Sequence, residues 1–163
     1  MNEQFQQLGV DWLAQLLTLQ GLSATVTAAM VEDEVNSSCW LTIDEAQLSP
    51  QQIEVLLGEE GRVLDALQYL ANTTLNLGRS PDEQHAYTVD LAGYRAKRLE
   101  ELKVLAEQAA EQARTTGQEY ELTALSSAER RQVHQLLKAY DGLETFSRGK
   151  EPDRRLVVRP VEA

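Results

Sequence analysis

Along residues 10–20, VDWLAQLLTLQ, the apolar positions Trp12, Leu13, Leu16, Leu17 and Leu19 recur at helical spacing, and Gly21 supplies a stop. The period then changes. ATVTAAMVEDEV is β-branched and loosely alternating, which predicts a strand. SCWLTID predicts a second strand, with Cys39 and Leu41 on one face and Trp40 and Thr42 on the other, and the NSS between them suits a hairpin turn. Ser49-Pro50 is a helix start, with serine as cap and proline at the first helical position. QQIEVLL follows as a short helix, stopped by Gly58. A longer helix begins near Gly61, with Val63, Leu64, Leu67, Leu70 and Ala71 as its buried stripe. LGRSPDEQ is a loop by its Gly, Pro and Asp content, and AYTVDL alternates as a third strand.

From Tyr94 to Thr116 there is no Gly or Pro, which predicts one long helix with Leu99, Leu102, Leu105, Ala106, Ala109 and Ala113 on its apolar face. Gly117 ends it. EYELTAL is a short strand, and SSAERRQVHQLLKAY is a helix with Ser126 or Ser127 as cap and Glu129 in its first turn. LETFS and RRLVVRP are extended and suited to pairing. The order is α-β-β-α-α-β, a long helix, then β-α-β-β. Without regular βαβ alternation, it points to an α+β fold.

Composition narrows the function. No run of 18 apolar residues exists, so no membrane span is expected, and the N-terminus lacks the basic start of a signal peptide. Cys39 is the only cysteine, which suits a reducing cytoplasm, and its apolar strand context reads as a buried inert thiol. No metal-ligand spacing, phosphate-binding P-loop or dinucleotide fingerprint is present, so neither a cofactor nor an enzymatic activity is expected. His85 belongs to no motif. The net charge of −11 argues against indiscriminate nucleic-acid binding. The charge is uneven, however. Residues 1–125 hold 20 acids and 7 bases, whereas residues 126–163 hold 6 acids and 8 bases.

Two motifs carry candidate chemistry. GEEG, residues 58–61, has the glycine spacing of a loop whose backbone approaches a phosphate beside a helix N-terminus. Between Gly58 and Gly61, however, stand Glu59 and Glu60. A unit charge about 4 Å from a phosphate is worth roughly 1 kcal/mol in water and about 4 near a protein surface. Two glutamates thus oppose phosphate by a few kcal/mol, and Arg62 offsets only one of them. Three readings stand: a corner with solvated acids, a weakened clamp working through backbone N–H groups and Arg62, or a metal-bridged contact. The second motif is Arg130 and His134, four residues apart and so on one helical face, with Lys138 a turn further and Arg131 to one side. Arg148, Lys150, Arg154, Arg155 and Arg159 follow, with Phe146 among them. Guanidinium and imidazole groups can hold phosphate oxygens. Phe146 can either stack on a base or pack in the core.

The order of the first block resembles a type II KH domain. LDALQYLAN, Leu64 to Asn72, is similar to the segment after the GxxG loop in the bacterial Jag (KhpB) family, whose members join a KH domain to an RxxxH domain. In the second block ERRQVH, ETFSRGKEPDRRLVVRP and VDLAGYRAKR resemble that RxxxH domain, also written R-3-H. The resemblance implies a KH-like domain over 1–92 and an RxxxH domain over 93–163, the latter including the long helix 94–116. The chain departs from the family pattern twice: its GxxG loop is acidic instead of basic, and it leaves no room for the N-terminal Jag domain many members carry. The resemblance implies a cytoplasmic bacterial protein of RNA-level regulation. It would bind single-stranded RNA, ahead of single-stranded DNA, through Arg130, Arg131, His134, Lys138, Phe146, Arg148, Lys150, Arg154 and Arg155. A small single-KH protein is its implied partner. The alternative is a protein-interaction adaptor whose acidic KH-like half docks a partner and has lost RNA binding.

Overall fold

The computed structural model describes residues 2–32 and 37–161. The chain divides into two compact units, Met1–Arg95 and Ala96–Ala163. Both mix helices with a three-stranded sheet, as an α+β fold requires.

In the first unit the order is α1 (Asn2–Leu19), β1 (Val26–Glu32), β2 (Ser37–Ile43), α2 (Pro50–Leu57), α3 (Arg62–Leu75) and β3 (Tyr87–Leu91). The sheet runs β1-β2-β3, with β1 antiparallel to β2 and β2 parallel to β3. A parallel neighbour needs a crossover, and α2 and α3 supply it. Cys39, Leu41 and Ile43 point from β2 into the core, where they meet Leu13, Leu17, Leu64, Ala71, Val89 and Leu91. Ser49 caps α2 through a full capping box with Gln52.

The sequence reading needs four corrections in this unit. Helix α1 begins at Asn2, eight residues earlier than the apolar pattern suggests, and Phe5 joins the core. Gly9 lies mid-helix because a Cβ there would come within 2.8 Å of the Tyr87 ring and 2.9 Å of Leu41. Leu19 is 76% exposed, beyond the packed turns. On α3, Val63 and Leu70 are exposed, because Leu64, Leu67, Ala71 and Leu75 already fill the side facing the sheet. Ser37 and Ser38 belong to β2, while Asp33 to Asn36, assigned to strand and turn, lie outside the described residues.

Helix α3 also closes one sheet edge. Gln68, Asn72 and Asn76, spaced four apart, face β3. Asn72 accepts from Tyr87 N at 2.9 Å and donates to Tyr87 O at 2.7 Å. Asn76 accepts from His85 N at 2.9 Å and donates to its carbonyl at 2.8 Å, and Gln68 accepts from Val89 N at 3.1 Å. These side-chain amides take the place of a fourth strand. His85, which had no assigned role, stacks on Phe5 with ring centroids 3.9 Å apart.

The second unit contains most of α4 (Tyr94–Thr116), then β4 (Tyr120–Leu122), α5 (Ser127–Leu137), β5 (Leu143–Arg148) and β6 (Arg155–Pro160). Its antiparallel sheet has the order β4-β6-β5. Leu102, Ala106, Ala109, Ala110 and Ala113 of α4 pack with Val133 and Leu137 of α5 and with Leu156 and Val158 of β6. Alanines let the helix lie close to its neighbours. Leu99 is exposed at 36%, a turn short of that packed stripe. No described helix is long and apolar enough to cross a membrane.

Candidate nucleic-acid interface

Ser126 caps α5 by accepting from Glu129 N at 3.2 Å, and Glu129 accepts from Ser126 N at 2.9 Å in return. Glu129 also accepts from Arg98 Nε at 2.7 Å. The start of α5 is thus satisfied by its own carboxylate, and the candidate face lies further along the helix. Arg130 and His134 share that face and border a cavity of about 310 Å³, whose wall also includes Arg131, Ser147 and Arg154.

Within this group Arg130 differs from the phosphate fork expected of it. It is 5% exposed. Its Nη1 donates to the Leu125 carbonyl at 2.7 Å and to the Arg154 carbonyl at 3.3 Å, and its Nη2 donates to Glu151. The guanidinium ties α5 to the β5–β6 loop, and its charge is satisfied inside the protein. His134 is half-buried, and its Nδ1 is hydrogen-bonded to Oγ1 of Thr145 on β5. That leaves Nε2 as the ring nitrogen for the cavity. Arg131 and Arg154 are exposed and form no ion pair with any described residue, and the same holds for Lys150 in the β5–β6 loop and for Lys138, which caps the C-terminus of α5.

The remaining bases of the tail are not free. Arg148 donates to Glu121 at 2.9 Å and to Glu119 at 2.8 Å, and Arg155 donates to Glu121 at 2.7 Å. Arg159 pairs with Glu144 and lies 3.6 Å from Glu119. Hydrogen bonds from Arg155 and then Arg148 hold the Glu121 carboxyl below the usual carboxylate range. Arg148, Arg155 and Arg159 thus face Glu119, Glu121 and Glu144 on the outer side of the sheet. Phe146 sits among them, 5.3 Å from the Arg148 guanidinium and 5.1 Å from that of Arg159. Its ring is engaged by two cations, an arrangement that neither simple core packing nor an open stacking platform describes. The excess of bases in 126–163 is offset by Glu119 and Glu121, which the β4–β6 pairing brings alongside.

The GEEG corner has its own logic. Gly58, Glu60 and Gly61 all have positive φ, at 69°, 53° and 75°. A Cβ on Gly58 would lie 2.5 Å from Val63 Cγ2, and one on Gly61 would lie 2.5 Å from the Tyr94 ring. Both glycines are therefore demanded by packing and backbone conformation, whether or not a phosphate ever approaches. Glu59, Glu60 and Arg62 are exposed. Among the described residues no group of three or more His, Cys, Asp or Glu is arranged to hold a metal ion.

Sequence reasoning did not single out Thr145, Ser147 or the three glutamates. The alternation of ETFS does put Thr145 and Ser147 on one face of β5 and Phe146 on the other, and that was the available signal.

Residues 100–160 match the R-3-H domain family. The chain is 34% identical over 113 residues to the RNA-binding protein KhpB of Bacillus subtilis (strain 168), covering 68% of this chain and 53% of that protein. It is 26% identical over 157 residues to the RNA-binding protein KhpB of Clostridium symbiosum, covering 96% of this chain and 67% of that protein. With the RNA-binding protein KhpB of Lactiplantibacillus plantarum it shares 34% identity over 134 residues, which are 82% of this chain and 39% of that protein. The chain thus spans about half the length of the curated relatives it matches.

Proposed function

We propose that the protein binds single-stranded RNA, ahead of single-stranded DNA, on the face of α5 and the β5–β6 loop. Its match to the R-3-H domain family and its similarity over most of its length to bacterial proteins named for binding RNA support this reading. The observation that carries it is the coincidence of Arg131 and Arg154, unpaired among the described residues, with His134 at one cavity of about 310 Å³. Phosphate oxygens accept hydrogen bonds and carry charge, and these groups donate and neutralise it. Lys150 and Lys138 extend the same positive surface. Arg148 and Arg155 join it only by leaving their glutamates, so they contribute less. Arg130 acts by holding the β5–β6 loop, and with it Arg154, against α5.

The first unit takes no direct part in this reading, since Glu59 and Glu60 face solvent at the corner where a phosphate clamp would need cations. It is suited to a protein partner instead. The small single-KH protein implied by the family resemblance is a fitting occupant for its exposed apolar positions, which include Val55 at 71%, Tyr69 at 70% and Leu70 at 46%. An RNA ligand and a single buried cysteine fit a cytoplasmic protein of RNA-level regulation.

Replacing Arg131 and Arg154 together by Ala tests the site. Affinity for a mixed-sequence single-stranded RNA should fall at least tenfold, about 1.4 kcal/mol. The circular dichroism melt should stay in place, because both side chains are exposed. Unchanged affinity would remove this face from the proposal.

A further inference from the structure

The bond between His134 and Thr145 has a consequence for what the cavity can bind. A neutral imidazole has one N–H, and its position is set by what the other ring nitrogen does. Nδ1 of His134 is held by Thr145 Oγ1. A threonine hydroxyl can donate or accept. If it accepts, the ring proton sits on Nδ1 and Nε2 presents a lone pair to the cavity. If it donates, Nε2 carries the proton and becomes a donor. The other groups around the cavity decide between these states. Arg131 and Arg154 offer only donors, which suits a ligand made of acceptor oxygens. A bare Nε2 would repel such a ligand.

We propose that Thr145 is a positioning residue for phosphate recognition: its hydroxyl donates to Nδ1 of His134 and so fixes the ring N–H on Nε2, at the cavity. The proposal rests on the RNA-binding reading above. Thr145 touches no ligand and acts only through His134. The β5 alternation that turns Phe146 to the outer face turns Thr145 towards α5, and the pairing of Thr145 with Val158 in the sheet fixes its place.

The test uses the full chain, with Thr145→Val and Thr145→Ser. Valine keeps the β-branched shape that suits the strand and loses the hydroxyl, while serine keeps the hydroxyl. Long-range proton–nitrogen NMR at pH 8 reads the His134 tautomer directly, without RNA. The wild type and Thr145→Ser should carry the proton on Nε2. Thr145→Val should lose that preference and bind a mixed-sequence single-stranded RNA roughly tenfold more weakly, with Thr145→Ser close to the wild type. A wild-type proton on Nδ1 would overturn the proposal, as would a tautomer shift in Thr145→Val that leaves affinity unchanged. His134→Ala separates the two levels. If it leaves affinity intact, the RNA-binding reading of this residue fails. If it weakens binding while Thr145→Val changes neither tautomer nor affinity, only the role of Thr145 fails.

Discussion

Arg130 is a charged side chain kept out of water, and such a group is tolerable only when its donors are met. Two carbonyls and Glu151 meet them. Removing the side chain would leave the Leu125 and Arg154 carbonyls without this donor. Arg130→Ala should therefore destabilise the protein by about 2–3 kcal/mol, and Arg130→Lys should recover only part of that, since an ammonium cannot span the same forked geometry. Urea denaturation followed by circular dichroism would measure both. The two variants would be indistinguishable from wild type if Arg130 were a solvated phosphate ligand. The Arg–His spacing was legible in the sequence as a shared helical face. That one member faces inward was not, because its partners lie at residues 125, 151 and 154, in segments without regular period.

At the scale of the element, the outer face of the β4-β6-β5 sheet is a set of exposed ion pairs. Each is expected to add little stability, because water and salt screen exposed ion pairs. Their larger effect is to neutralise arginines that would otherwise draw phosphate. Glu121 engages two of them, so Glu121→Gln should raise RNA affinity and steepen its salt dependence, while thermal stability barely moves. Titrations at two salt concentrations check this, and an unchanged slope would count against it. The lowered pKa of Glu121 sets a sign as well. Its contribution to stability is present above the ordinary carboxylate range and is lost as pH falls through its depressed folded-state value.

Strand alternation, the capping boxes of α2 and α5 and the Tyr94–Thr116 helix were all readable from local pattern. What escaped was set by partners distant in sequence. The first turns of α1 are glutamine-rich and interrupted by Gly9, whose reason is Tyr87. Val63 and Leu70 look like core by composition, but one helix face cannot bury every apolar residue it carries. The ion pairs of the outer sheet face join residues 119–121 to residues 148–159, which no helical or strand period relates.

For the molecule as a whole, a net charge of −11 means that RNA association receives no general electrostatic assistance. Residues 1–92 hold 14 acids and 2 bases, while residues 93–163 hold 12 acids and 13 bases, several of those bases already paired. On the proposed reading, binding comes from the few cations left free. The measurement that tests this most directly is an NMR titration of the full chain with a mixed-sequence single-stranded RNA, run at two salt concentrations. Amide shifts should concentrate at Arg131, His134, Ser147, Lys150 and Arg154, with residues 58–62 unmoved. The affinity should fall with salt at a log–log slope of roughly −2 to −3, as three to four phosphate contacts require. Shifts centred on Gly58 to Arg62, with α5 and the β5–β6 loop silent, would contradict the account.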